Sequence, residues 1–146
     1  MAPSLRTELE SHLADARRAR DRQRTVVLST LLSDLRNREI ADGRPAGDET
    51  IREVITRAVK QRREAAEQMR AGQREELAEK EEEEIAILSD FLPPPLEEAE
   101  VRVIVRELLA EGADQIGQVM GRLMPRIQGR FDGREANRIV REELAP

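Results

Sequence analysis

The sequence predicts an all-α protein in two parts, an N-terminal multihelical domain with a long helical hairpin and a C-terminal three-helix bundle. Apolar residues recur with the 3.6-residue period of a helix in nearly every segment, and no long segment alternates with a period of two. Aromatic residues, which favour strands, are limited to two phenylalanines in 146 residues. The consecutive prolines Pro93 to Pro95 cannot continue a helix, so they predict a boundary between domains 1–92 and 93–146.

Four helices are predicted before the prolines, from apolar stripes and from residues that start or stop a helix. Ser4 is expected to cap the first, and Asp42-Gly43 to stop the second, because glycine adopts the left-handed conformation of a helix end. The third and fourth are expected to fold back on each other at Gly72 as a hairpin. The four helices are predicted at about 5–16, 21–41, 48–70 and 77–92.

Three helices are predicted after the prolines. The fifth carries an apolar stripe that begins at Val101, and it ends at Glu111-Gly112. The sixth begins near Asp114, and Pro125 is expected to end or kink it. The seventh starts at Asp132, which together with Glu135 forms a D-x-x-E capping box.

Composition excludes several classes of protein. There is no cysteine, and hence neither a disulfide framework nor a thiolate metal site. The N-terminus lacks an apolar signal core and no segment approaches a membrane span, so we expect a cytoplasmic protein. A net charge of −5 argues against non-specific nucleic-acid binding by the whole molecule.

No pattern of catalytic residues is found. Glycine-rich phosphate loops are absent, the serines have no histidine partner, and His12 alone offers no ligand set. The run Glu81 to Glu84 points around the helix cylinder rather than toward one ion, which is typical of a solvated face. The sequence therefore predicts no catalytic residue, no metal and no cofactor.

Charged residues interrupt the apolar stripes of the predicted hairpin. Arg62 lies on the apolar face of the third helix, and Glu84, with Glu81 beside it, lies on that of the fourth. Folding the helices back at Gly72 brings these positions together. Buried charges demand partners, so we expect a structural ion pair, with a carboxylate site as the alternative.

The last thirty residues combine two further patterns. Gly117 and Gly121 lie four apart beside the apolar stripe of the sixth helix; they predict close helix packing, or alternatively a strip on which a partner docks. Arginines without neighbouring carboxylates in the helical wheel are candidates for phosphate binding, the alternative being a solvated face. Without aromatic residues there is no base-stacking platform, so any RNA contact should read the backbone. These candidate RNA-binding residues are Arg122, Arg126, Arg130, Arg134, Arg138 and Arg141.

Taken together, the motifs along the chain resemble the GatB/YqeY-domain family. The resemblance is carried, in order and nearly end to end, by Val59-Lys60-Gln61-Arg62-Arg63, Ala78-Glu79-Lys80-Glu81, Glu84-Ile85, Leu92-Pro93, Gly117-x-Val-Met-Gly121-x-Leu-Met124-Pro125, Gly129-Arg130-x-Asp132-Gly133 and Asn137-x-x-Val140. Two positions depart from the family pattern, Ser29 where arginine is expected and Glu97 where a serine cap is expected.

The resemblance implies an all-helical, two-part, bacterial YqeY-like protein with a tRNA-contacting tail, similar to the tail of the B subunit of a glutamine-dependent aminoacyl-tRNA amidotransferase. It implies tRNA as a partner, and an amidotransferase or synthetase component as a protein partner. The amidotransferase's catalytic site belongs to a separate domain, so a carbon–nitrogen ligase label would be inherited from the longer relative. A non-catalytic tRNA-binding or accessory protein is the first hypothesis, a protein-interaction adaptor the second, and a ligase with glutamine as amido donor the third.

Overall fold

The computed structural model describes residues 4–146, which form seven α-helices and no strand. The all-α prediction is confirmed. The chain divides into two compact units, Met1–Leu92 (the N-terminal unit) and Pro93–Pro146 (the C-terminal unit), and each has its own apolar core. The helices are α1 Leu5–Arg18, α2 Arg22–Asp42, α3 Asp48–Ala71, α4 Glu75–Ser89, α5 Glu98–Ala110, α6 Ile116–Ile127 and α7 Gly133–Leu144.

Local capping explains where the first helices begin and end. The Ser4 hydroxyl accepts a hydrogen bond from the Thr7 amide (3.2 Å), and the Asp21 carboxylate accepts one from the Arg24 amide (3.1 Å). Both side chains satisfy amides that have no partner within the helix. Gly43 ends α2 with φ of 70°, the left-handed conformation that glycine adopts without steric cost.

In the N-terminal unit, α3 and α4 pack against each other along their lengths, and α1 and α2 pack beside them. The core is mainly aliphatic, with Phe91 at its edge: Leu9, Leu28, Ile55 and Leu88 are fully buried. Burying one such side chain stabilises the fold by about 1.5–3 kcal/mol. This packing holds the two helices of the hairpin in a fixed register.

The hairpin turn and the end of α4 differ from the sequence prediction. The helix begins at Glu75 rather than Leu77 and ends at Ser89, so Leu92 lies outside it. The residues that follow it form i→i+3 hydrogen bonds, from the Phe91 amide to the Leu88 carbonyl and from the Leu92 amide to the Ser89 carbonyl. The prediction extended the helix too far because it followed the apolar residues, whereas Pro93 disfavours helical backbone at the residue before it.

Two non-glycine residues adopt left-handed backbone in this unit, Arg20 (φ 56°) after α1 and Gln73 (φ 59°) after α3. The following amides, of Asp21 and Arg74, reach back to carbonyls in the last turn of each helix. Glycine is the usual residue at this position. A residue with a Cβ atom in the left-handed conformation destabilises the folded state by about 1–2 kcal/mol. Gly72 is beside the strained position but has φ of −88°.

In the C-terminal unit, α5 packs against both α6 and α7, which also contact each other. Pro125 was expected to end or kink α6, but the helix continues two residues past it to Ile127. Loss of one amide donor is tolerated here because Leu123 and Ile127, on either side of the proline, are fully buried in the core. The helix therefore ends where its apolar stripe ends.

The capping box predicted at the start of α7 is only half formed. The Asp132 carboxylate accepts from the Glu135 amide at 3.4 Å, but the Glu135 carboxylate pairs with Arg138 instead of returning to the cap. At α5 the Glu97 amide donates to the Glu100 carboxylate at 2.9 Å. This bond is part of a capping box in which Glu97 is the N-cap residue of α5.

We propose that the two units are separate folding domains, and we expect residues 93–146 expressed alone to form helices. A unit of this size buries only about 60% of its unfolded surface, so its stability should be low. Circular dichroism should show helix content and a cooperative urea transition. A spectrum typical of an unfolded chain would contradict the domain boundary.

Candidate nucleic-acid interface

The last helix positions the candidate arginines. Ala136, Ile139 and Val140 are fully buried in the core of the C-terminal unit, which fixes the rotation of α7 about its axis. Arg134 and Arg141 are exposed. They are seven residues apart, two turns of helix, and therefore share one face.

Arg138, predicted to belong to the same free cluster, is surrounded by carboxylates. Its guanidinium lies 2.8 Å from Glu98 on α5, 2.8 Å from Glu135 and 2.6 Å from Glu142. The expectation that the arginine cluster has no adjacent carboxylates is therefore wrong for Arg138. Glu135 and Glu142 lie three and four residues from Arg138 on α7 itself, so their positions follow from the sequence, whereas Glu98 is brought by α5.

Arg138 is one part of a charge network that connects α5 with α7. On α5, Arg102 approaches Glu98 and Glu143 to 3.0 Å each, and Arg106 approaches Glu143 to 3.1 Å. The Arg138 guanidinium, followed by that of Arg102, lowers the pKa of Glu98 below its ordinary value. Hydrogen bonds from Arg106 and then Arg102 lower the pKa of Glu143.

These lowered pKa values predict acid sensitivity of the C-terminal unit. A carboxyl whose folded-state pKa lies below its unfolded pKa adds stability above the unfolded pKa, and that stability is lost as pH falls through the folded pKa. We expect the urea midpoint, followed by amide NMR signals of α5–α7, to drop between about pH 5 and about pH 3.

Two single substitutions test the cause of this pH dependence, one on α5 and a matched control at its C-terminal end. Glu98→Gln removes one network carboxylate and should reduce the slope of stability against pH. Glu111→Gln removes the same charge from a residue that makes no ion pair among residues 4–146, and it should leave the slope unchanged. Equal slopes in the two variants would contradict a role of the network in stability.

Two other predicted arginines also have structural contacts. Arg126 on α6 lies 3.8 Å from Glu107 on α5, a loose and exposed pair. Arg130, in the turn between α6 and α7, donates from Nε to the Pro94 carbonyl (3.1 Å), while its own carbonyl accepts from the Leu96 amide (2.7 Å). These two hydrogen bonds of Arg130 hold residues 94–96 against the turn. No carboxylate within the described chain neutralises the charge of Arg130.

The arginines that remain available to a ligand are Arg122, Arg134 and Arg141. All three are exposed, and none has an ion-pair partner within residues 4–146. The Arg141 guanidinium donates to the Asn137 side-chain oxygen at 2.8 Å, a neutral partner that orients the group without cancelling its charge. Three of the six candidates are thus exposed and without a carboxylate partner, whereas Arg130, also without one, is half-buried and bonded to the Pro94 carbonyl.

Gly117 and Gly121 do not pack against another helix of the C-terminal unit. Both are exposed, and a Cβ atom added at either would meet nothing within 4 Å. The expected packing role is therefore not found within this unit, because α5 and α7 contact the opposite, apolar side of α6 through Val119 and Leu123. The glycines instead form part of an open surface.

Arg62 and Glu84 face each other across the α3–α4 hairpin. Arg62 Nε lies 3.4 Å from Glu84 Oε2, and the side chains are 20% and 15% exposed. The Nε hydrogen is buried without a hydrogen-bond acceptor, so the contact is an ion pair without good hydrogen-bond geometry. Glu81 is half-buried and makes no ion pair among the described residues.

Within residues 4–146, no group of three or more histidine, cysteine, aspartate or glutamate side chains could hold a metal ion. The His12 and Phe91 rings are nearly perpendicular, with ring centroids 5.0 Å apart. In the same range, none of the helices has the length and apolar character that crossing a membrane requires.

The sequence model of the Yqey-like proteins matches residues 6–144, nearly the whole chain. The chain belongs to the Yqey-like family. This Yqey-like protein is 32% identical to altered inheritance of mitochondria protein 41, mitochondrial, of Lachancea thermotolerans over 106 residues, which are 70% of this chain and 57% of that protein. It is 31% identical to an uncharacterized protein of Schizosaccharomyces pombe over 91 residues, 62% of this chain and 74% of that protein.

The match spans little more than half of the mitochondrial relative's length. Both of these relatives are fungal, and the name of one places it in mitochondria. These two relatives therefore do not support the bacterial origin that the family resemblance implies.

Sequence reasoning missed the α5–α7 network, although a signal for it was present. Glu98 and Arg102 are four residues apart on α5, a spacing that places opposite charges side by side. The sequence cannot show that this pair turns toward Arg138, because that contact spans 40 residues.

Proposed function

We propose that this Yqey-like protein is a non-catalytic protein that binds the phosphate backbone of tRNA through its C-terminal unit. The observation that carries the proposal is the pair Arg134 and Arg141, two exposed guanidinium groups on one face of α7 that have no carboxylate partner in the described chain. An unpaired guanidinium binds phosphate strongly because its donors match two phosphate oxygens at once.

The chemistry of this face limits what it can recognise. Phe131 is the single aromatic residue of the C-terminal unit, and it packs against the apolar core. Bases therefore have no exposed platform on which to stack. A protein that contacts only the phosphates is held on the RNA without recognising its base sequence. We therefore expect binding to extend to all tRNA species.

A salt titration of the wild-type chain tests the proposal. Binding of labelled tRNA should be measurable by fluorescence anisotropy at low salt, and log K should fall linearly with log salt. Three phosphate contacts predict a slope of about −2 to −3. The absence of tRNA binding at low salt would end this proposal.

A protein-interaction adaptor is the second candidate, favoured by the open surface of α6. Ile116 is exposed next to Gly117, and with Gly121 it forms an uncovered strip that a partner helix could approach closely. Apolar docking should be nearly independent of salt, which distinguishes it from phosphate binding. An amidotransferase component or a synthetase component is the partner that the family resemblance implies.

A further inference from the structure

A second group of arginines lies in the N-terminal unit, at the turn between α1 and α2. Five arginines and one aspartate fall within residues 17–24. Three of these arginines, with Thr25 and Val26, line an open cleft of about 470 Å³, which we call the turn cleft. The three are Arg17, Arg20 and Arg22.

The charges of the turn cleft are not neutralised by the surrounding residues. None of its three arginines has an ion-pair or side-chain hydrogen-bond partner within residues 4–146. The nearby carboxylates make other contacts, and of these only Asp15 is neutralised by an ion pair. Asp15 pairs with Arg18, and Asp21 caps α2. On α4, Glu83 accepts a hydrogen bond from the Gln23 side chain at 3.0 Å.

The backbone at Arg20 offers a way to test the role of its side chain. Arg20 holds the left-handed position after α1, where glycine would be free of strain. Replacing Arg20 by glycine should therefore improve the fold and remove one wall of the cleft.

We propose that the turn cleft binds neighbouring phosphate groups, as they occur in an oligophosphate or along an RNA backbone. Three guanidinium groups around one open cleft can contact more than one phosphate at a time. The cleft has no aromatic lining, so it offers no platform for a nucleoside base. This site lies in the other unit from the proposed tRNA-binding face and does not depend on it.

Tripolyphosphate is the probe, titrated into the ¹⁵N-labelled full-length chain at low salt and at high salt. Amide shifts should concentrate at residues 17–26. In the variant with Arg17→Gln, Arg20→Gly and Arg22→Gln, affinity should fall at least tenfold. The matched control carries Arg52→Gln, Arg57→Gln and Arg63→Gln, three exposed arginines of α3 without ion-pair partners in the described chain, and it should retain wild-type affinity.

Single glycine substitutions separate an effect on phosphate binding from an effect on folding stability. Arg20→Gly alone should raise the urea midpoint and weaken tripolyphosphate binding, whereas Gln73→Gly at the other left-handed turn should raise the midpoint with binding unchanged. Equal loss of affinity in the cleft and control variants, or no binding by the wild type, would overturn the proposal.

Competition then distinguishes the two sources of phosphate. Displacement of tripolyphosphate from residues 17–26 by a short RNA duplex assigns the cleft to RNA. Continued binding of tripolyphosphate in excess duplex assigns it to a free oligophosphate. The C-terminal arginines are intact in every variant, so failure of the cleft leaves the proposed tRNA-binding face to be judged by its own salt titration.

Discussion

Charge reversal of Arg122, Arg134 and Arg141 to glutamate is expected to weaken tRNA binding on the order of a thousandfold near 0.1 M salt. Each phosphate contact adds about 0.9 to the slope of log K against log salt. This corresponds to roughly a tenfold change in affinity per contact at that salt concentration. The slope of log K against log salt should also become shallower by about one unit per lost contact. Anisotropy with several tRNA species should give the same loss for each, because phosphate contacts carry no base information.

The matched control reverses Arg52, Arg57 and Arg63 on α3, which changes the net charge of the protein by the same amount. These arginines are also exposed and unpaired within residues 4–146. A comparable loss in the control would show that net charge alone governs binding. Arg138 is unsuitable for this experiment, since its reversal would place a glutamate among Glu98, Glu135 and Glu142 and disturb the fold.

Arg62→Ala is expected to destabilise the N-terminal unit by about 1–3 kcal/mol, because it leaves the half-buried Glu84 carboxylate without its cation. Urea denaturation followed by circular dichroism measures this loss. Replacing both partners, as in Arg62→Met with Glu84→Leu, should recover most of the stability, since an apolar pair removes the cost of two desolvated charges.

The control for Arg62→Ala is Arg63→Ala. Arg63 is the next residue on α3, but it is exposed and has no ion-pair partner in the described chain. Its replacement should change stability by less than about 0.5 kcal/mol. If Arg62→Ala were equally mild, the hairpin face would be solvated and the ion pair would not contribute.

The fold could be predicted in detail wherever the signal is local. Ser4, Gly43 and Asp132 act on amides or carbonyls a few residues away, so their caps follow from the sequence alone. Where backbone strain decided the outcome, the prediction was less accurate. The sequence predicted that the hairpin folds back at Gly72, but it did not indicate that Gln73 takes the left-handed conformation of the turn.

The candidate site could be predicted only in part, because it depends on contacts between distant segments. That Arg134 and Arg141 share a face follows from their spacing on α7. The pairs of Arg138 with Glu135 and Glu142 are local to α7, but its pair with Glu98 forms only when α5 packs against α7. The turn cleft was missed because Arg17, Arg20 and Arg22 lie on two helices and a turn, so no single helical wheel contains them.

The proline inside α6 deprives one backbone carbonyl oxygen of its usual hydrogen bond within the helix. Pro125 has no amide hydrogen, so the carbonyl of Gly121 lacks the donor that the fourth residue along a helix normally supplies. Gly121 is exposed and has no side chain to shield its surroundings. The glycine strip of α6 is therefore a place where water, a ribose hydroxyl or a donor on a partner protein can complete the helix's own hydrogen bonding.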